Sequence, residues 1–379
     1  MSLHLARLHV LNFRNHRQAE LELGPEVNCF VGPNGVGKTN LLDAVHYLSL
    51  GKSYFDAVDM HNILKGEEMF MVQGTMRTAL GDDVVLCSVR KGLRKILSRN
   101  RKEYDRLADH VGRYPVVMIT PFDAQLILEG SEVRRRFLDG LISQFDKVYL
   151  ESLIRYNRAL VQRNAMLKRF AATDGGSLSQ LEPWDEQIIA HGTSVFETRL
   201  AFMQQLIPLL KSHYQGISAG PEEVALSYRS ALKETSLRTL LAGAWERDRS
   251  AQYTTVGIHK DDLEFTMDER PLKRYGSQGQ QKTYLIALKL AQFDLTHSRS
   301  DGRPILLLDD IFDKIDPQRM RHLLQLLSGQ RFGQVIITDT DAKRLHQALD
   351  GLELDVRFFH LHHETPISRE EAIQRTVDQ

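Results

Sequence analysis

A lysine and a threonine close a glycine-rich run that reads Gly32-Pro33-Asn34-Gly35-Val36-Gly37-Lys38-Thr39-Asn40. The spacing, one glycine and then Gly-Lys-Thr after four intervening residues, is that of a phosphate-binding loop. Each residue type has a physical role there. Glycines let successive backbone N–H groups turn inward as an anion nest, and the following helix aims the positive end of its dipole at the same point. Lys38 reaches the β- and γ-phosphates, and the Thr39 hydroxyl takes one position on Mg²⁺. The apolar run Val27-Asn28-Cys29-Phe30-Val31 before the loop and Leu41-Leu42-Asp43-Ala44-Val45 after it predict the strand and helix that such a loop requires. Residues 32–39 therefore predict binding of a nucleoside triphosphate.

Far along the chain, Ile305-Leu306-Leu307-Leu308-Asp309-Asp310 reads as an apolar strand ending in two carboxylates. Buried parallel strands are continuous apolar runs, and a carboxylate at the C-terminal end of one faces the ligand crevice. Asp309 is the expected Mg²⁺ partner beside Thr39. Asp310 is then placed to orient or deprotonate the attacking water.

Tyr275-Gly276-Ser277-Gln278-Gly279-Gln280-Gln281-Lys282 opens a further helix, whose N-terminus can receive an anion. A plain N-cap reads the same way. Its place ahead of the Asp309 strand is that of an ABC-type signature motif, whose serine hydroxyl and amides bind the γ-phosphate held by a different nucleotide-binding domain. Ser277, Gly279 and Gln280 are the candidates. With one phosphate loop and one signature, a motif acting in trans requires two copies sandwiching two ATP molecules, a closed homodimer. The γ-phosphate contributes contacts only in the closed state, so ATP favours the dimer and hydrolysis reverses it. Asp313-Lys314-Ile315-Asp316 stands where a loop lines that interface, with Asp316 the candidate. The strand-like run Gln334-Val335-Ile336-Ile337-Thr338-Asp339-Thr340 ends where ABC ATPases carry a switch histidine. Here γ-phosphate sensing falls to Thr338 or Thr340.

The elements that must position these groups are split along the chain. The 379 residues allow two or three domains, and the long stretch between Lys38 and Ser277 predicts an insertion. Strand-like pieces near 70–73 and 83–90 predict an antiparallel sheet on the head. From about residue 123 the pattern turns helical. One apolar rhythm of 3.6 residues runs from Val133 through Tyr149, Leu153, Tyr156, Leu160 and Met166. Thr173-Asp174-Gly175-Gly176-Ser177 breaks it, and a second helical run spans about 184–214. Two helices joined by one turn predict a short antiparallel arm.

Formal net charge is zero with 26% charged residues, so a uniformly basic nucleic-acid coat is excluded. Basic groups instead cluster locally. Arg90, Lys91, Arg94, Lys95, Arg99, Arg101, Lys102 and Arg106 form one set; Arg134, Arg135, Arg136, Arg155, Arg158, Arg163, Lys168 and Arg169 form another along the first arm helix. Each is a solvated face or a phosphate-contact surface, and duplex affinity is expected where dimerisation joins two patches. Cys29 and Cys87 lie in apolar runs without metal spacing, which predicts a reduced, cytoplasmic chain. His360 and His362 share a strand face but have no further ligand pattern, so a polar strand end is the reading. No apolar run approaches the roughly 20 residues a membrane span needs.

The motif set resembles the RecF family of bacterial recombination-repair ATPases, SMC-like heads without the long coiled coil. The resemblance covers essentially the whole chain. It is carried by Leu11-Asn12-Phe13-Arg14-Asn15, the loop from Gly32 to Thr39, Glu129-Gly130-Ser131 with Arg134-Arg135-Arg136-Phe137-Leu138-Asp139, Gly257-Ile258-His259-Lys260-Asp261-Asp262-Leu263, and the signature from Gly276 to Lys282. Departures are Pro121-Phe122-Asp123 in place of an acid pair, Glu132 and Ile258 in place of prolines, and an interface loop that keeps only Asp316. The resemblance implies an α/β ABC/SMC-type P-loop ATPase head with an antiparallel β subdomain and an inserted helical arm. The boundaries expected are 1–120 and 245–379 for the head and 121–244 for the arm. It also implies ATP and Mg²⁺ as cofactors, an ATP-dependent homodimer on double-stranded DNA near single-strand gaps, and a weak DNA-stimulated ATPase. It implies work with RecR and RecO in loading RecA for repair, replication restart and the SOS response. Competing classes are another SMC- or ABC-type head serving a different DNA or membrane-transport complex, a P-loop kinase, and a member with an attached nuclease. The missing switch histidine and charged arm speak against transport, the signature against a kinase, and the lack of a nuclease constellation after residue 340 against the last.

Overall fold

The structure is a computed structural model that describes residues 3–173, 176–218, 221–300, 302–311, 332–362 and 368–370. The chain divides into two compact units. The first holds residues 1–123, 213–219 and 285–379; the second holds 124–212 and 220–284.

The first unit is built on two six-stranded sheets. In one, Val27–Val31 lies between Val335–Asp339 and Val356–His360, and Ile305–Asp309 follows Val335–Asp339, all parallel. Val116–Ile119 extends it in parallel, and Ser368–Glu370 closes the other edge antiparallel. Every residue of Val27–Val31, Val116–Ile119, Ile305–Asp309 and Val335–Asp339 is buried, as expected of strands covered on both faces. The second sheet is antiparallel and includes Met69–Thr78 and Gly81–Arg90, where strands were expected from the sequence. Along Met69–Thr78 buried and partly exposed residues alternate, the period of a sheet with one covered face. The helix Lys38–Leu50 contributes Leu41, Leu42, Val45 and Leu48 to the same core. Phe13, Tyr47 and Phe70 lock it to the antiparallel sheet through edge-on ring contacts at centroid separations of 5.1–5.6 Å.

The second unit contains the helices Ser131–Ile142, Lys147–Thr173 and most of Glu182–Ser218, and a three-stranded sheet of Val224–Arg229, Asp262–Met267 and Arg270–Pro271. The single rhythm read from Val133 to Met166 is two helices. Asp146 interrupts it, because its carboxylate accepts the Tyr149 backbone N–H at 2.8 Å and caps a new helix start. The two long helices run antiparallel: Arg163 meets Asp185 at 2.6 Å, and further back Arg199 meets Tyr149 at 3.1 Å.

Residues 245–284, read from the sequence as head, group with the helical unit instead. Charged hydrogen bonds explain the difference. Arg134 places both ends of its fork on Asp262, at 2.6 and 3.0 Å, and Arg135 donates to the Asp261 carbonyl at 2.6 Å. Buried Arg199 joins Asp139 at 2.7 Å, Asp261 at 3.1 Å and the Ile258 carbonyl at 3.1 Å. A bidentate guanidinium–carboxylate pair is among the stronger polar contacts available, and these tie two distant sequence motifs into one body.

Candidate nucleotide site

The phosphate loop leaves the buried strand Val27–Val31 and enters the helix at Lys38. Gly37 has φ 102° and Gly35 φ 82°, in the left-handed region that glycine reaches without steric cost. At Gly37 a Cβ would also lie 2.4 Å from the side chains of Asn15 and His16. These two residues brace the loop from the outside. Asn15 donates to the Gly35 carbonyl at 3.3 Å and accepts from Asn40 at 2.7 Å. Burial lowers the His16 pKa against its hydrogen bond to Gly37, in which Nε2–H donates to the carbonyl at 3.0 Å.

Lys38 is buried, and its ammonium donates to the carbonyls of Gly32 at 2.7 Å and Pro33 at 2.9 Å. Desolvation lowers its pKa, against the pull of Asp310, Asp309 and Asp339, which raise it. The Thr39 hydroxyl donates to Asp309 Oδ1 at 2.8 Å across a sequence gap of 270 positions. Thr338 donates to the same oxygen at 2.8 Å, and its hydroxyl accepts the Asp310 backbone N–H at 3.0 Å. Burial is the main reason that the Asp309 pKa is raised; the two hydroxyl donors oppose it. Asp310 adopts φ 47°, in the left-handed region, immediately after the strand.

The parallel order of the three central strands brings these groups together, because their C-terminal ends align at one edge. Lys38, Thr39, Asp309 and Asp310 are thus one cluster, with Gly32, Pro33, Asn34, Gly35, Val36 and Gly37 forming the loop above the helix. Thr39 and Asp309 present two hard oxygen donors side by side, which fits Mg²⁺, an ion that takes few protein ligands and keeps water and phosphate oxygens for the rest. Among the described residues no group of three or more His, Cys, Asp or Glu is arranged to hold a metal by itself.

Known proteins resemble this chain along nearly its whole length. A family model described as an AAA domain matches residues 7–107. The DNA replication and repair protein RecF of Flavobacterium johnsoniae is 44% identical over 359 residues, covering 95% of this chain and all of the relative. That of Phocaeicola vulgatus is 46% identical over 94% of this chain and 95% of the relative. The chain belongs to the RecF family. A solved structure of the recombination mediator protein RecF with ATP, in the RecFOR pathway, covers 97% of this chain and 98% of its own at 28% identity and a TM-score of 0.87. The Pyrococcus furiosus Smc head domain matches at 14% identity and a TM-score of 0.56, over 97% of this chain and 96% of its own, a likeness of fold. The fold is therefore that of the RecF and SMC head ATPases, with the antiparallel β subdomain and inserted helices expected.

Other family motifs take their places in one unit or the other. Arg14, at φ 53°, pairs with buried Asp43 of the phosphate-loop helix at 2.8 Å. Asp123, the surviving acid of 121–123, pairs at 2.8 Å with Lys289, and both side chains are 3% exposed. Tyr54 links them, accepting from Lys289 at 2.8 Å and donating to Asp123. In the second unit Ser277 is the N-cap of Gln278–His297 in a capping box. Its hydroxyl accepts the Gln280 N–H at 3.2 Å and the Gln280 side chain accepts the Ser277 N–H at 2.9 Å. Gly279 and Gln280 thus lie in the first turn of that helix. Asp316 and the rest of its loop lie outside the described residues, as does His363. Thr338 is fully buried and already holds Asp309 and Asp310, whereas Thr340 is exposed.

The arm-helix basic set divides into internal ties and exposed charges. Arg163 is 0% exposed and donates to Asp185 at 2.6 Å, Asp248 at 2.7 Å and Thr254 at 2.9 Å, so it is an internal tie. Arg134 and Arg135 are likewise engaged with the 261–262 segment. Arg136, Arg155, Arg158, Lys168 and Arg169 are exposed. In the other set, Lys95 pairs with Asp59 at 2.7 Å and Arg99 with Asp83 at 2.9 Å, while Arg90, Arg101 and Lys102 are exposed.

Sequence reading missed Asn15 and His16 as braces, the Tyr54–Asp123–Lys289 link, and Arg199. A histidine and an asparagine ahead of a strand carry no local signal of a loop they touch only in space. Arg199 had one: it interrupts the apolar side of a long helix, where a charge persists only if paired.

Proposed function

We propose that the protein is an ATP-dependent DNA-binding switch of replication and repair. Two copies close on two ATP molecules, grip duplex DNA near single-strand gaps, and release it after slow hydrolysis. The observation that supports this best is the 2.8 Å contact between Thr39 and Asp309 beside a buried Lys38 in a glycine nest. In this reading Lys38 exchanges the Gly32 and Pro33 carbonyls for phosphate oxygens. Thr39 and Asp309 hold Mg²⁺, which supplies neutralisation of phosphate charge. Asp310 orients water for attack and accepts its proton, while Thr338 holds the Asp309 carboxylate and the Asp310 backbone N–H in place. Ser277, Gly279 and Gln280 meet the γ-phosphate bound by the other copy, with Asp316 in the interface loop and Thr340 as the sensing candidate.

ATP here acts as clamp and timer, so turnover is weak and rises when DNA favours the closed dimer. The RecFOR relationship of the solved relative supports RecR as a direct partner, with RecO and RecA downstream in strand loading, replication restart and the SOS response. Among the described residues no helix is long and apolar enough to cross a membrane, and a cytoplasmic setting accords with work on DNA. Residues 1–123, 213–219 and 285–379 then act as head and the remainder as arm.

Sedimentation of the full chain with and without ATP, repeated with gapped duplex, tests the assembly. ATP is expected to shift monomer to dimer, and Ser277→Arg to prevent that shift while nucleotide still binds. A chain that stays monomeric with saturating ATP and DNA would remove the clamp reading.

A further inference from the structure

Ahead of the signature turn lies a charged surface that the clamp chemistry above does not use. The hairpin between Asp262–Met267 and Arg270–Pro271 turns through Asp268 and Glu269, at φ 48° and 63°. It delivers Arg270 next to the short helix Leu272–Tyr275. Tyr275 is 55% exposed, directly before Gly276 and Ser277. The guanidinium carbons of Arg270 and Arg274 both lie 5.6 Å from the centre of its ring. Lys273 anchors the helix by donating to the Leu128 carbonyl at 2.5 Å.

Among the described residues neither arginine forms an ion pair, although Asp268 and Glu269 are close in sequence. A guanidinium stacked on an aromatic face is oriented at low entropic cost, with its N–H edge still turned outward. Two such groups, uncompensated by carboxylates, form a preorganised receptor for a multiply charged oxyanion.

We infer that Arg270, Arg274 and Tyr275 form a phosphate-recognition edge that engages the triphosphate held by a second copy of the chain. The inference rests on the reading that the signature acts in trans. Continuity with Ser277, one residue beyond Gly276, favours that source over nucleic-acid backbone. Arg270 and Arg274 meet the charge ahead of Ser277, and Tyr275 holds their planes.

The test uses the full chain carrying Arg270→Ala and Arg274→Ala together, with Tyr275→Phe as the variant that keeps the ring face. ATP-driven dimerisation is followed by sedimentation, nucleotide binding by titration at concentrations where the chain is monomeric, and duplex binding without nucleotide by anisotropy. The double variant is expected to weaken the ATP dimer by about tenfold or more, as loss of one charged contact does. Monomer nucleotide affinity and nucleotide-free duplex binding stay at the native level, and Tyr275→Phe dimerises like the native chain. Native-like dimerisation of the double variant overturns the inference, and so does a loss confined to duplex binding, which would make DNA backbone the ligand. If Ser277→Arg still blocks dimerisation while the double variant does not, only this inference fails; if the native chain does not dimerise, the trans reading fails first.

Discussion

Thr39 and Asp309 are hydrogen-bonded at 2.8 Å although they stand at opposite ends of the ATPase sequence. The strand Ile305–Asp309 reaches Thr39 because Val335–Asp339 separates it from Val27–Val31 in a parallel sheet with aligned ends. The register pairs Asp309 with Thr338, and the Thr338 hydroxyl bonds the shared carboxylate oxygen from the side. The site is therefore a property of strand order, and each of its groups can be tested separately.

Lys38→Met removes the only loop side chain placed to carry positive charge onto the phosphates. Nucleotide affinity is expected to fall about ten- to a hundredfold, the worth of one or two charge-assisted hydrogen bonds. Titration calorimetry with ATP measures it. An affinity close to native would mean that the backbone nest alone holds the triphosphate.

Asp310→Asn keeps the size of the side chain and removes its capacity to take a proton. Turnover is expected to fall about 10²- to 10⁴-fold, the range of general-base contributions, while ATP binding persists and the dimer outlives it. Phosphate release and sedimentation read the two effects. Turnover at the native rate would transfer the proton-accepting role to another group.

Asp309 gives a prediction in pH. Burial holds its carboxyl above the ordinary range despite the Thr39 and Thr338 donors. The folded chain therefore keeps a proton that the unfolded chain has released. Stability falls as pH rises from about 3.9, the unfolded value, through the higher folded one. Above both, the penalty is fully present. Asp309→Asn retains an acceptor for both hydroxyls but carries no charge, so it should raise the melting temperature of the ligand-free chain at pH 7. That gain should shrink as the pH is lowered towards 4, in calorimetric scans of both proteins. A gain of equal size at pH 7 and pH 4 would show that desolvation is not its origin.

What could be read from the sequence follows from how local each signal is. The phosphate loop, the Asp309 strand and the signature turn are short runs whose chemistry depends on adjacent residues, and they appear as strand–loop–helix, strand end and N-cap. The antiparallel strands were legible because alternation is local as well. The helix break at Asp146 was not, since an apolar rhythm passes over a cap that preserves its phase. The placement of 245–284 was hidden for another reason: it depends on Arg134, Arg135 and Arg199 reaching Asp261 and Asp262 in space. Charge runs misled in the same way, because composition cannot tell an arginine on a solvated face from one turned inward.

Arg163 and its exposed neighbours separate those two cases experimentally. Arg163 is enclosed between Asp185 and Asp248, whose side chains are 14% and 0% exposed. Removing it leaves two buried carboxylates without their counter-charge, and breaking such a pair costs about 3–5 kcal/mol. Arg163→Ala should therefore lower the denaturation midpoint strongly. Duplex affinity of the fraction that remains folded should stay native, because the guanidinium never reaches solvent. Arg155→Ala with Arg158→Ala removes two exposed charges and should leave the denaturation midpoint near native. If the arm touches DNA, the same pair weakens binding across all sequences and makes its salt dependence shallower by about one unit per lost phosphate contact. Denaturant titration and fluorescence anisotropy at several salt concentrations distinguish the two variants. A native salt slope in the Arg155/Arg158 variant would move the DNA surface away from this helix, towards Arg90, Arg101 and Lys102 on the head, whose side chains are also exposed.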